Sequence, residues 1–145
     1  MSGRSFLDTN IVVYAADESP AERDKHLTAV ELLRQEPDSL VLSTQVLQEF
    51  YYVVTRRIAM PLDPDRAAAA VRGLARLEVI PADTELVLAA ITICRSSQLS
   101  LWDALIIEAA YQAGCERVLT EDLSHGQVLK GVLVENPFRP ADPRR

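Results

Sequence analysis

Four acidic residues stand where carboxylates can act together: Asp8, Glu49, Asp103 and Asp122. Asp8 interrupts the stretch SFLDTNIVVYA directly after an apolar Phe6-Leu7 pair, and Asp122 comes just past the apolar run in VLTEDLSHGQ. Each therefore closes a short hydrophobic run with a threonine at the junction. Glu49 lies in STQVLQEFYYVVTRR, at the margin of an apolar stripe made by Val46, Leu47, Phe50, Val53 and Val54. Asp103 lies in LSLWDALIIEAA, three residues after Ser100. Two carboxylates about 4 Å apart repel by roughly 4 kcal/mol at an effective dielectric of 20. Acids gathered in this way either hold protons through raised pKa values or bind divalent cations. Hard oxygen donors suit magnesium or manganese far better than zinc. Magnesium held by carboxylates is an apparatus for activating water against phosphodiesters.

Each acid also has a purely structural reading. Asp8, Thr9 and Asn10 all suit the cap of a strand-to-helix junction. Glu49 reads as a solvated flank, with Arg56 or Arg57 available to pair with an acid. Ser100 and Asp103 form an S-x-x-D capping box, and an acid at the third position complements the helix dipole. Asp122 suits an Asx turn. What favours function is repetition: adjacent parallel strands would bring the matching Asp8 and Asp122 together.

The elements that must position these acids alternate along the chain. Phe6-Leu7, Leu40-Val41-Leu42, Val79-Ile80, Arg117-Val118-Leu119 and Val132-Leu133-Val134 are brief apolar runs bounded by turn or cap residues, and are predicted to be strands. Helices are predicted from Ser19-Pro20 to about Gln35, from Ser43 to about Ala59, and after Asp63-Pro64 and Asp83. A fifth runs from Ser100 to a closing Gly114. Such alternation implies a three-layer α/β/α fold with a central, mostly parallel sheet of about five strands, covered on both faces. Ligands of such sheets collect at the carboxyl ends of the strands, which is where Asp8 falls.

The 145 residues, nearly half hydrophobic and a quarter charged, match one globular domain, expected over residues 1–138 with a flexible tail at 139–145. Cys94 and Cys115 stand in helical patterns without histidine nearby, so two buried reduced thiols are expected in place of a zinc site or disulfides. No apolar run reaches the roughly 20 residues that span a bilayer. The start MSGRSF is too short and polar for a signal sequence, and a cytoplasmic location is expected. The net charge of −6 is the wrong sign for a nucleic-acid binder, whose phosphate contacts come from Lys and Arg, unless the acids hold cations.

The stretches FLDTNIVVYA, LSTQVLQEFYYVVTRR, LSLWDALIIEAAYQAGC and VLTEDLSHGQVLKGVLVENPF, in this order from Phe6 to Phe138, resemble a PIN-domain ribonuclease. The resemblance is closest to the VapC-type toxins of type II toxin–antitoxin pairs. It implies that Asp8, Glu49, Asp103 and Asp122 form a catalytic site for Mg2+ or Mn2+, with Thr9, Asn10 and Thr120 beside it. It also implies metal-dependent hydrolysis of single-stranded or loop RNA to 5′-phosphate and 3′-hydroxyl ends, a homodimer, and a cognate antitoxin lying over the acidic groove. Met60 to Ala82 is where it says least.

Other residues are read from their types. Trp102 is expected to pack at a helix start, with stacking on a base as the alternative. His125 is a turn histidine. Tyr51 and Tyr52 are expected at the dimer or antitoxin groove. Arg56, Arg57 and Arg95 are candidate phosphate contacts, Arg56 being taken as substrate-binding. Alternatives to the toxin are a PIN-like nuclease or RNA-binding module outside toxin–antitoxin systems, and a receiver-like phosphoacceptor domain. The last needs paired acids near the first strand and a lysine ending the last one, whereas Asp8 is alone and Lys130 precedes Val132.

Overall fold

The computed structural model describes residues 3–140. The expected tail therefore lies, beyond Pro140, outside the described residues. Six strands form one sheet: β1 (Ser5–Leu7), β2 (Leu40–Ser43), β3 (Glu78–Ile80), β4 (Arg117–Leu119), β5 (Val128–Leu129) and β6 (Val132–Glu135). Their order is β3-β2-β1-β4-β6-β5. The first five in that order are parallel neighbours, and β5 adds to β6 as an antiparallel edge. All five expected strands are present. The sixth, β5, has only two residues, too few for an alternating pattern, and it exists because the turn through Lys130 and Gly131, both at positive φ, folds it back on β6.

Six helices connect the strands: α1 (Thr9–Ala16), α2 (Arg23–Leu33), α3 (Thr44–Arg56), α4 (Pro64–Leu74), α5 (Thr84–Ser97) and α6 (Leu101–Gln112). Serine or aspartate caps α3, α4, α5 and α6, as the sequence predicts. The helix expected from Ser19-Pro20 begins as a 3-10 turn, Pro20–Glu22, before α2. Helix α1 has no counterpart among the five predicted helices, although Asp8 caps it as a strand-to-helix junction implies. Its Ile11, Val12 and Val13 are β-branched and all buried, so local propensity favours a strand while packing selects a helix.

Strands β1 and β2 are buried at every residue, which requires cover on both faces. Helices α1 to α4 pack on one another, α3 also lying on β2, while α5 pairs with α6 and α6 lies along β2, β4 and β6. The parallel register sets Phe6 against Val41 and Val118, all fully buried, so the first, second and fourth strands share the centre of the core. Cys115 is buried and Cys94 half-buried, both free thiols.

Lys130 ties the hairpin β5–β6 to α6. Its Nζ donates to both carboxylate oxygens of Glu108, at 3.1 and 2.7 Å, and lies 4.1 Å from the Tyr111 ring centroid. Glu108 is buried, so removing only the cation strands a charge in the core. Lys130→Met is expected to lower stability by about 2 kcal/mol, discounted from the fully buried case because the lysine is partly exposed. Adding Glu108→Gln should restore most of it. Urea unfolding of the single and double variants checks this, and equal losses in both would contradict it.

Candidate active site

Asp8 occupies the junction where β1 ends and α1 begins. Its Oδ1 accepts from the backbone N–H of Thr9 at 2.7 Å, which makes it the N-cap of α1. Its Oδ2 accepts from the Thr120 hydroxyl at 2.7 Å. Thr120 directly follows β4, and Asp8 N–H donates to Leu119 O at 3.1 Å, so the strand pairing itself sets the two side chains face to face. The cap and the cluster thus use different oxygens of one carboxylate. Asp8 is only 6% exposed. Burial raises its pKa from 3.8 to about 6 against the pull of both hydrogen bonds, with the charges of Asp122 and Glu49 adding to the rise.

Glu49 reaches the same place from α3. Its Oε2 accepts from the Thr9 hydroxyl at 2.9 Å and its Oε1 from Gln45 Nε2 at 2.9 Å, so it is held by partners and not left as a solvated flank. Gln45 is buried, sits one helical turn before Glu49, and also donates to the Trp102 carbonyl at 3.4 Å.

Asp122 follows Thr120 past the end of β4. Its Oδ2 accepts from Asn10 Nδ2 at 3.0 Å, and its N–H donates to Thr120 Oγ1 at 3.0 Å. Asn10 also reaches Thr120 Oγ1 at 3.3 Å, so Thr9, Asn10 and Thr120 are interposed among the three acids. The Asp122 pKa is raised by burial first, then by the charges of Glu121, Asp103 and Glu49, against the Asn10 hydrogen bond.

Asp103 differs from its predicted capping box. Its backbone N–H donates to Ser100 Oγ at 3.1 Å, but the carboxylate takes no hydrogen bond among the described residues. The hydroxyl alone caps α6, and the acid is left uncommitted within electrostatic reach of Asp122. Asp8, Glu49 and Asp122 are thus joined through Thr9, Asn10 and Thr120 at the edge formed by the carboxyl ends of β1 and β4, where the strand order leads away in both directions from β1, and Asp103 acts on Asp122 through its charge alone.

Among the described residues, no three acid, histidine or cysteine side chains stand close enough together to hold one ion as placed. The donors nevertheless fit a hard divalent cation in type, because they are carboxylate, hydroxyl and amide oxygens without sulfur or imidazole. The raised pKa of buried Asp8 marks a charge that lacks compensation, which a cation would supply.

The remaining predicted residues fall further out. A cavity of about 430 Å3 adjoins the acids and is lined by Thr9, Asn10, Glu49 and Asp122 together with residues of α1 and the end of α3. Arg57 is in its wall; Arg56 is not, and lies exposed over the Tyr52 ring. Trp102 corrects an expectation: it is 64% exposed, because the first turn of α6 turns it outward. His125 accepts from the Asn136 N–H at 3.0 Å, as a turn histidine should. Two features escape sequence reasoning. One is Gln45; the other is the cluster in which Lys25 Nζ meets Glu121 Oε2 at 2.9 Å and Tyr14 donates to Glu121 Oε1 at 2.6 Å. Only the i, i+4 spacing of Gln45 and Glu49 offered a signal.

The family described as the PIN domain matches residues 5–128. No curated protein matches the chain. Among solved structures, a toxin–antitoxin complex from Klebsiella pneumoniae is similar at a TM-score of 0.69 and 17% identity, covering 94% of this chain and 99% of that one. DNA-bound VapBC from Salmonella typhimurium is similar at 0.67 and 23% identity, covering 93% and 98%. A Mycobacterium tuberculosis VapC toxin described as cleaving the sarcin–ricin loop is similar at 0.64 and 22%, covering 81% and 89%. At these identities the likeness is one of fold.

The acid cluster sets a pH dependence in the absence of divalent cations. The folded carboxyl of Asp8 titrates near 6 and the unfolded one near 3.8, so unfolding releases a proton between those values. Stability from this residue is intact below pH 3.8 and falls as pH rises toward 6, by up to about 3 kcal/mol. Asp122 shifts in the same direction. In chelator, the stability of Asp8→Asn relative to wild type is expected to rise by about 2–3 kcal/mol between pH 4 and pH 7. Denaturant titrations across that range measure the gap, and a constant gap would refute the assignment.

Proposed function

This chain belongs to the PIN domain family, and from that premise we propose that it is a divalent-metal-dependent endoribonuclease acting as the toxin of a toxin–antitoxin pair. The observation that carries this reading is the convergence of Asp8 and Asp122 at two adjacent strand ends, with Glu49 joined to them through Thr9. Asp8, Glu49, Asp103 and Asp122 would hold Mg2+ or Mn2+, which when bound supplies an activated water and positive charge for the phosphate oxygens. Thr9, Asn10 and Thr120 hold the carboxylates in fixed orientations; Thr9 and Asn10 line the cavity and face a bound strand, whereas Thr120, expected beside the substrate, is fully buried and acts only through Asp8 and Asp122. Arg56 is an exposed cation on α3 for a neighbouring phosphate. The burial that raises the Asp8 pKa keeps water from screening the charge it offers.

The similar structures support the reading: a toxin–antitoxin complex and DNA-bound VapBC favour the partner, and a toxin described as cleaving the sarcin–ricin loop favours the nuclease. Further support is the surplus of exposed aromatics on α3: Tyr51 and Tyr52 are 41% and 47% exposed beside buried Phe50 and Val54. Exposed aromatic surface of this kind suits a second protein. We assign it to a homodimer and to an antitoxin segment that crosses the groove and sets a cation, such as an arginine, on the carboxylates. The protein works in the cytoplasm on this reading; among the described residues no helix is long and apolar enough to cross a membrane.

Three measurements test the proposal. The protein with magnesium should cleave RNA and stop in excess chelator, and Asp8→Asn should abolish cleavage while keeping the circular dichroism of the folded chain. Full activity in either case overturns it. Asp103→Asn leaves the Ser100 cap intact, so stability should change by less than about 0.5 kcal/mol while activity falls at least tenfold to a hundredfold. Parallel loss of stability and activity would make Asp103 a structural residue only. Light scattering should give a dimer, and the product of the adjacent small reading frame should copurify. A monomer without a copurifying inhibitor would overturn the toxin assignment and leave the nuclease.

A further inference from the structure

The cavity that adjoins the acids continues well past them. Glu49, Asp122, Thr9 and Asn10 line one end, Val13, Val53, Ile58 and Ala59 give it apolar sides, and Asp17, Ser19 and Glu22 line it beyond α1. Its volume of about 430 Å3 is within the range of small-molecule sites. Asp17 and Ser19 are 5% and 4% exposed, an unusual burial for two polar side chains in a connecting segment.

Neither side chain is used up by the fold. Asp17 Oδ1 accepts from the Ser19 N–H at 3.0 Å, and its other oxygen accepts no hydrogen bond among the described residues. Ser19 precedes Pro20 at the start of a 3-10 turn, where a serine usually caps, yet it makes no capping bond. Among the described residues Ser19 Oγ is the one buried side-chain oxygen or nitrogen without any partner. A buried hydroxyl left unpaired costs stability, so its retention at a cavity wall points to a ligand.

We propose that this cavity binds one unpaired nucleobase of the RNA substrate, and that Asp17 and Ser19 select guanine. This rests on the ribonuclease reading above. The sides are apolar, as the faces of a base require, and Tyr14 also lines the cavity. The polar wall is rich in acceptors: Asp17, Glu22 and the Ser19 hydroxyl. Guanine alone among the four bases presents two donor groups side by side on its Watson–Crick edge, N1–H and the N2 amine. Asp17 and Glu22 disfavour phosphate at their end, so the uncharged base occupies it while the backbone lies toward Glu49 and Asp122, with Arg57 in the wall as a cation. Asp17 and Ser19 are specificity residues on this account, separate from the four acids.

The test uses the full chain in two arms. In the first, saturation-transfer NMR compares guanosine, inosine, adenosine and uridine, with no need for cleavage. Guanosine should bind at least tenfold more tightly than inosine, which lacks only the N2 amine. In the second, short single-stranded RNAs carrying guanine or inosine at each position are cleaved with magnesium, and one position should show a fall of about tenfold or more in kcat/KM. Ser19→Ala removes a hydroxyl that holds nothing in place, and Asp17→Asn keeps the acceptor for the Ser19 N–H. Both should stay folded and lose the guanine preference. Wild-type cleavage without base preference, or preference retained in Asp17→Asn, overturns the base pocket and spares the nuclease. Guanosine selection without any cleavage upholds the pocket and overturns the nuclease reading. Absence of both overturns both.

Discussion

A carboxylate buried between two parallel strand ends is the constraint around which this sheet edge is organised. Asp8 is almost wholly buried, and each of its oxygens finds a donor within the protein. One donor is local, the Thr9 amide that starts α1; the other, the Thr120 hydroxyl, comes from a strand more than a hundred residues away. That second bond exists only if β1 and β4 are neighbours in the observed register. The register in turn depends on burying Phe6, Leu7, Val118 and Leu119 together. Placement of the acid and formation of the core are therefore one event.

The hydroxyl and amide groups between the acids explain how so much negative charge is tolerated. Thr9, Asn10 and Thr120 each donate to a different carboxylate, so Glu49, Asp122 and Asp8 are separated by groups that satisfy them. The hydrogen bonds lower the pKa values that burial and mutual repulsion raise, and for Asp8 and Asp122 the raising effects win. The net charge of −6, which argues against nucleic acid when taken as a sum, is compatible with it once part of that charge is gathered at one edge and open to cations.

Strand positions and helix caps were legible in the sequence because they depend on neighbours along the chain. Brief apolar runs, serine or aspartate before a helix, and Gly114 after one are local signals, and they were matched except that Ser19 makes no capping bond. The strand-end acids were legible for the same reason, through the repeated apolar run, threonine and aspartate. Helix α1 was not, since three buried β-branched residues carry a strand's propensity and only packing on α2 and α3 makes them helical. Strand β5 was hidden by its length. Trp102 was misread because an aromatic residue at a helix start gives no indication of the direction it faces. The Lys25–Glu121–Tyr14 cluster joins residues far apart in sequence, for which pattern carries no information. The idle hydroxyl of Ser19 emerges only when every buried polar atom has been given its partners.

Gln45 places two distant parts of the molecule in mechanical series. One amide group grips the carboxylate of Glu49 at 2.9 Å and the main chain of Trp102 at 3.4 Å, so the head of α6 and the acid on α3 share a single strut. The exposed indole belongs to the residue whose carbonyl is held. The first turn of α6 and the Glu49 carboxylate therefore cannot shift independently while that amide keeps both hydrogen bonds.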